Sequence, residues 1–222
     1  MTVIDNFIAP ACHQQIETLY QDEHILLINK PSGLLSLSGK NPLNLDSVHH
    51  RLAQIYPQIT LIHRLDFGTS GIMLLALDKA SNALLSQQFQ QRTVIKGYQS
   101  IVAGHIEQDS GIIAAPISKD KALFPRLKVC FEQGQKAISH FQVLERLSNP
   151  DRTRLLFTPE TGRTHQLRIH SQFIGHPMLG CDLYGNLDTQ AMASRLLLHA
   201  SELEFEHPFT GQAMKICCPC PF

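Results

Sequence analysis

The chain has 222 residues, 43% of them hydrophobic, with 19 Lys and Arg against 19 Asp and Glu. That length holds one domain with a sizeable core or two small ones, and the cancelled charge argues against strong non-specific binding of a polyanion by the whole surface, while leaving room for a locally basic stripe. No apolar run is long enough to cross a bilayer, the start Met1-Thr2-Val3-Ile4-Asp5-Asn6 lacks the basic region of a secretion signal, and six cysteines in a chain this long make no disulfide framework, so a cytoplasmic protein with reduced thiols is expected.

Residues 1–15 are unpatterned and read as an arm, with one domain over 16–222. Ile16–Tyr20 and Ile25–Asn29 read as two short strands joined by Gln21-Asp22-Glu23-His24. Lys30-Pro31-Ser32-Gly33 breaks the pattern, Leu34–Leu37 is a short apolar piece, and Ser38–Asn44 is a polar loop. Asp46 is placed to cap a helix over Ser47–Tyr56, with Val48, Leu52 and Ile55 on one face. Ile72–Leu77 is apolar throughout and reads as a buried strand. A helix then starts at Asp78 or Ser81 and buries Leu84, Leu85 and Phe89. Strands are predicted over Lys96–Ala103, Gly111–Pro116, Ala137–Arg146 and Arg154–Thr158, with a charged loop over Ser118–Lys128. A helix over Thr164–Phe173 stops at Gly175-His176-Pro177, and a short helix over Asp188–Ser194 precedes strands at Leu196–Phe205 and Met214–Cys217. Strands interspersed with helices, without regular alternation, predict an α+β fold around a mixed, largely antiparallel sheet.

The stretch His63-Arg64-Leu65-Asp66-Phe67-Gly68-Thr69-Ser70-Gly71 stands out, because it sets two charged groups just before a turn that runs into the buried strand. Asp66 there is a turn former or a carboxylate held at the edge of a cleft; the local pattern leaves both open. If the chain is extended at this point, Arg64 and Asp66 fall on one face. Asn29-Lys30-Pro31-Ser32-Gly33, the 63–71 stretch, Thr161-Gly162-Arg163-Thr164-His165-Gln166-Leu167-Arg168-Ile169-His170 and Leu196-Leu197-Leu198-His199-Ala200 resemble, in the same order, four motifs of the RluA-type pseudouridine synthases. The likeness runs from about Glu17 to the C-terminus.

That resemblance implies a single catalytic domain with flanking helices and a central cleft, no S4-like RNA-binding domain and no cofactor. It makes Asp66 the catalytic nucleophile or base and Arg163 its cationic partner. Tyr98 is implied as the ring on which the uracil stacks, and Arg64 as the side chain that enters the RNA in place of the flipped nucleotide. The implied substrate is structured RNA, either 23S rRNA or a tRNA anticodon stem-loop or both. The chemistry suits these residue types. Positive charge grows at an anomeric carbon as its glycosidic bond loosens, which favours an ionised carboxylate. A guanidinium keeps such a carboxylate charged, and an aromatic face receives an extruded base. Without the resemblance, Arg163 reads equally as a surface arginine near a helix start and Tyr98 as a core tyrosine between strands.

Lys30, Arg126, Lys128, Arg168 and His170 are candidates for an RNA track, with Phe124-Pro125-Arg126 mixing aromatic and basic groups. Leu65 and Leu167 read as core, and His63 as a support for the turn. A non-catalytic RNA-binding or ribosome-assembly protein on the same scaffold is the alternative reading. A metal-dependent hydrolase is disfavoured because His165 and His170 are five apart, on different helix faces, and because Cys217 and Cys220 have no second pair of like spacing. No metal, no membrane contact and a monomeric state are expected.

Overall fold

A computed structural model describes residues 7–123 and 125–222. The chain divides into two compact units, one running up to Ile95 and including Ala200–Cys220, the other comprising Lys96–His199 with Pro221 and Phe222.

In the first unit, β1 (Glu17–Gln21) and β2 (Ile25–Lys30) pair antiparallel. Asp22 closes their turn, its Oδ1 accepting from the amides of His24 at 2.8 Å and Ile25 at 2.9 Å. Residues 7–15 form no strand or helix, yet Asn44 grips them through Ala9 N at 2.8 Å and Phe7 O at 2.7 Å. Helix α1 (Val48–Ala53) is shorter than its periodicity predicts. Ser47, not Asp46, caps it, by accepting from His50 N at 3.0 Å. Asp46 pairs with Arg51 instead, and Ile55 lies beyond the helix, 67% exposed. The two-residue β3 (Thr60–Leu61), too brief to leave a pattern, pairs with β4 (Ser70–Ala76), which is buried along its whole length. The partner of β4 on its long ladder is β2, antiparallel from Lys30 opposite Gly71 to Ile25 opposite Ala76. Burial on both faces explains why β2 and β4 read as apolar runs without alternation. Helix α2 (Lys79–Gln91) starts at Asp78, whose side chain accepts from Ser81 N at 2.8 Å, and buries Leu85; Leu84 turns outward at 39% exposure.

The second unit is a sheet in the order β5 (Ile95–Ala103), β10 (Arg152–Pro159), β9 (Ile138–Leu147), β6 (Ser110–Ala114), paired antiparallel. Strand β10 alternates cleanly, with Thr153, Leu155 and Phe157 inward. The ends of the predicted charged loop form a hairpin, β7 (Ile117–Lys119) with β8 (Leu127–Val129). Three-residue strands set among charges carry too few alternations to be seen in sequence. Helices α3 (Gln166–Phe173) and α4 (Leu187–Ala191) complete the unit. The chain then returns to the first unit through β11 (Leu198–Glu206) and its antiparallel partner β12 (Ala213–Cys217).

Each unit has its own core. Ile25, Leu27, Ile72, Leu74, Leu85 and Phe205 anchor the first; Val102, Phe141, Phe157, Leu167, Ile169 and Leu198 anchor the second. The fold is α+β, with few helices and largely antiparallel strand pairing, as the element order predicts. Among the described residues no helix is long and apolar enough to cross a membrane.

Candidate active site

Asp66 sits on the turn that enters β4. The segment alternates, with Arg64 exposed, Leu65 buried in the core as expected, and Asp66 half-buried. The backbone around the carboxylate is tied down on every side. Ser36 Oγ donates to Leu65 O at 2.7 Å and accepts from Leu65 N at 3.2 Å. Ser32 Oγ donates to Gly68 O at 2.7 Å, and Gly33 N donates to Phe67 O at 2.9 Å. The turn closes on itself through Thr69 N to Asp66 O at 3.1 Å. Lys30 is wholly buried, and its Nζ donates to the carbonyls of Leu34 at 2.7 Å, Pro31 at 2.9 Å and Phe67 at 3.3 Å. Three carbonyl acceptors match the three protons of an ammonium. Gly71 ends the turn at φ +109°, where a Cβ would stand 2.2 Å from Ala200 O, so both its backbone conformation and the neighbouring strand require glycine. His63 supports β4 rather than the turn. Its Nε2 accepts from Leu74 N at 3.0 Å, where the β3 ladder ends, and its ring stacks on Phe89 at 5.0 Å.

In the second unit, Arg163 lies half-buried in the turn before α3. Its Nε donates to Lys136 O at 3.1 Å, and its own amide donates to Gln166 Oε1 at 3.0 Å. Gln166 is the hub of this turn. Its Oε1 also accepts from Thr161 Oγ1 at 2.7 Å, and its Nε2 donates to Ser139 Oγ at 2.9 Å and Ile138 O at 3.0 Å. Both lone pairs and both protons of the amide are used, which fixes its orientation. The chain of donors continues from Ser139 Oγ to His170 Nδ1 at 2.9 Å and from His170 Nε2 to Ala115 O at 2.9 Å. Burial holds the His170 imidazole below its usual pKa, with its bond to Ala115 opposing the shift. Tyr98 stands half-buried on β5 opposite Phe157, against the second core.

Arg64 and Asp66 thus share one turn of the first unit, while Tyr98 and Arg163 belong to the second. The supposed RNA track fares differently residue by residue. Lys30, Arg168 and His170 are buried and bonded within the fold, so their positive or basic groups serve packing rather than phosphate contact. Arg168 pairs with Asp182 and lies on the Tyr184 ring. Lys128 is exposed and Arg126 partly so, while Phe124 lies outside the described residues. Lys30 and Gln166 lie within motifs singled out in the sequence, but their roles in holding the two turns were not visible there, and Ser36 and Tyr184 gave no signal at all. The one signal was a lysine ending a fully apolar strand just before Pro-Ser-Gly. Among the described residues no group of three or more His, Cys, Asp or Glu is placed to hold a metal, and none of the six cysteines is joined in a disulfide.

Residues 24–173 match the family model for RNA pseudouridylate synthase, and the chain belongs to that family. It is 45% identical to a dual-specificity RNA pseudouridine synthase RluA from Yersinia pestis over 204 residues, spanning 92% of this chain and 98% of that one. Against the RluA protein of Escherichia coli strain K12 the identity is 42% over 204 residues, spanning 92% and 93%. The fold resembles that of human RNA pseudouridylate synthase domain containing 1, with a TM-score of 0.80 at 27% identity, covering 96% of this chain and 86% of that one. The chain is therefore an isomerase that converts uridine in RNA to pseudouridine.

Proposed function

We propose that Asp66 is the nucleophile of this isomerisation and that the substrate is a uridine presented in a stem-loop, in 23S rRNA, in a tRNA anticodon arm, or in both. The relatives named dual-specificity support two RNA classes rather than one. The observation that carries the reading is the turn itself: a half-buried carboxylate on a backbone whose carbonyls are held by Lys30, Ser32 and Gly33. Such a turn positions an acid with little reorganisation left for the reaction.

In the proposed reaction the N1–C1′ bond breaks as the Asp66 carboxylate attacks the developing cation at C1′. The freed uracil turns, C5 bonds to C1′ as the carboxylate leaves, the C5 proton is lost and N1 gains one. Tyr98 offers its ring to the extruded base, Arg163 contributes positive charge to the reaction, and Arg64 enters the RNA where the nucleotide was. The work is done in the cytoplasm by a monomer.

Asp66→Asn is the test. Release of tritium from C5-labelled uridine in the RNA should fall by roughly a thousandfold or more, with RNA affinity within about threefold of the parent. Normal tritium release by that variant removes Asp66 from the reaction. Mapping pseudouridines in rRNA and tRNA with and without the protein identifies the target class.

A further inference from the structure

Tyr184 has a role beyond its place in the core. It is 2% exposed, and a buried phenol needs partners for its hydroxyl. It has two. The oxygen accepts from Leu127 N at 3.0 Å, at the first residue of β8, and meets His165 Nδ1 at 2.8 Å, at the start of α3. With the phenol donating to Nδ1, His165 carries its proton on Nε2. The ring works as well as the hydroxyl. Arg126 lies over it at 5.4 Å and Arg168 at 5.2 Å, and the His165 ring meets it edge-on at 5.6 Å. The charge of Arg168 is met by Asp182, whereas Arg126 belongs to the exposed charged end of the β7–β8 hairpin.

We propose that Tyr184 is a positioning residue for the isomerisation: it fixes the β7–β8 hairpin, and Arg126 with it, to the turn that carries Arg163. The inference rests on the reading of Arg163 and of RNA as substrate given above. One rigid side chain joins the residue after Arg126 to the residue two places beyond Arg163, so the two basic groups keep a set spacing. Phe131 against Phe173, ring centroids 6.2 Å apart, clamps the other end of the hairpin base to the end of α3. A basic group carried on a bare three-residue hairpin would otherwise search many positions before meeting phosphate, at a cost in affinity.

The test is a double-mutant cycle in kcat and KM on an RNA stem-loop containing the target uridine. Tyr184→Phe keeps the ring and both stacked arginines and removes only the two hydroxyl bonds. It should raise KM by about tenfold while leaving the folded state intact by circular dichroism. Arg126→Ala should then cost at least about threefold less in kcat/KM in the Tyr184→Phe background than in the parent. His165→Phe cuts the same link from the other end and should reproduce that loss of coupling, which covers a Tyr184→Phe chain that fails to fold. Additive effects, or KM within twofold of the parent in both variants, overturn the proposal. Arg163→Ala in the same assay separates the two readings: if it is inactive while Tyr184→Phe is normal, only the positioning role falls, and if it is fully active both fall.

Discussion

The two turns that carry the proposed Asp66 and Arg163 are built in opposite ways. The Asp66 turn is held mainly through its own carbonyls, gripped by Lys30, Ser32 and Gly33, residues that immediately follow or end β2. The Arg163 turn is held by a relay of side chains, from Thr161 through Gln166 and Ser139 to His170, with Tyr184 fastened to it at His165. A main-chain grip resists substitution of neighbouring side chains, and its one charged member is the buried Lys30 ammonium. A relay spreads the load, yet each member is open to mutation and His170 to pH. The contrast yields separate ways to damage each turn.

Lys30→Met should be the most destructive to stability, because it leaves the Pro31 and Leu34 carbonyls in a dry interior without this donor and Phe67 O with Gly33 N. A loss of about 3 kcal/mol is expected in urea unfolding of the whole chain. A loss below about 1 kcal/mol would mean that the carbonyls find other donors and that the main-chain grip is not set by this lysine. Gln166→Ala removes four hydrogen bonds from the other turn and should cost about 2 kcal/mol while lowering kcat more than it raises KM for RNA. An unchanged kcat in a folded Gln166→Ala protein would show that the relay is ornamental to Arg163.

Proton linkage tells the two regions apart more finely. His170 is held below its ordinary pKa by burial, so the unfolded chain takes up a proton first as pH falls. Its contribution is complete above about pH 6.5 and declines below it, and His170→Gln should flatten the stability profile between about pH 7 and 5. In the first unit Asp78 is held at about 2 by the Ser81 hydroxyl and then by the Ser81 amide. That contribution is present above about pH 3.9 and is lost as pH falls toward 2. Asp78→Ala removes the cap of α2, the helix whose Phe89 backs His63, and should cost about 1 kcal/mol at neutral pH, the smallest of these effects. Hydrogen exchange that reports each unit separately would show the His170 variant acting on the second and the Asp78 variant on the first.

Much of this was legible before any coordinates. Ile72–Leu77 announced a buried strand, Asp78 announced its helix, and four motifs in order announced the family. What failed has identifiable causes. Asp46 is a cap by residue type, but Ser47, read as the first helical residue, is one too, and only backbone geometry chooses between them. Arg168 and His170 looked like phosphate contacts because a charge in sequence carries no sign of burial, whereas Asp182 and the Ser139–Ala115 pair had already claimed them. The strands β3, β7 and β8 were too short for their alternation to register.

By itself the sequence determined the longer elements, the chemical types at the site and the family, because those depend on residue identity, local periodicity and spacing along the chain. Tertiary structure alone decided which polar groups face inward: Lys30 among carbonyls, Gln166 at the centre of a relay, Tyr184 between two arginines. Those choices are made by partners between 1 and 57 residues away. A buried polar group is tolerated only where such a partner meets it, and no local pattern records where that partner will be.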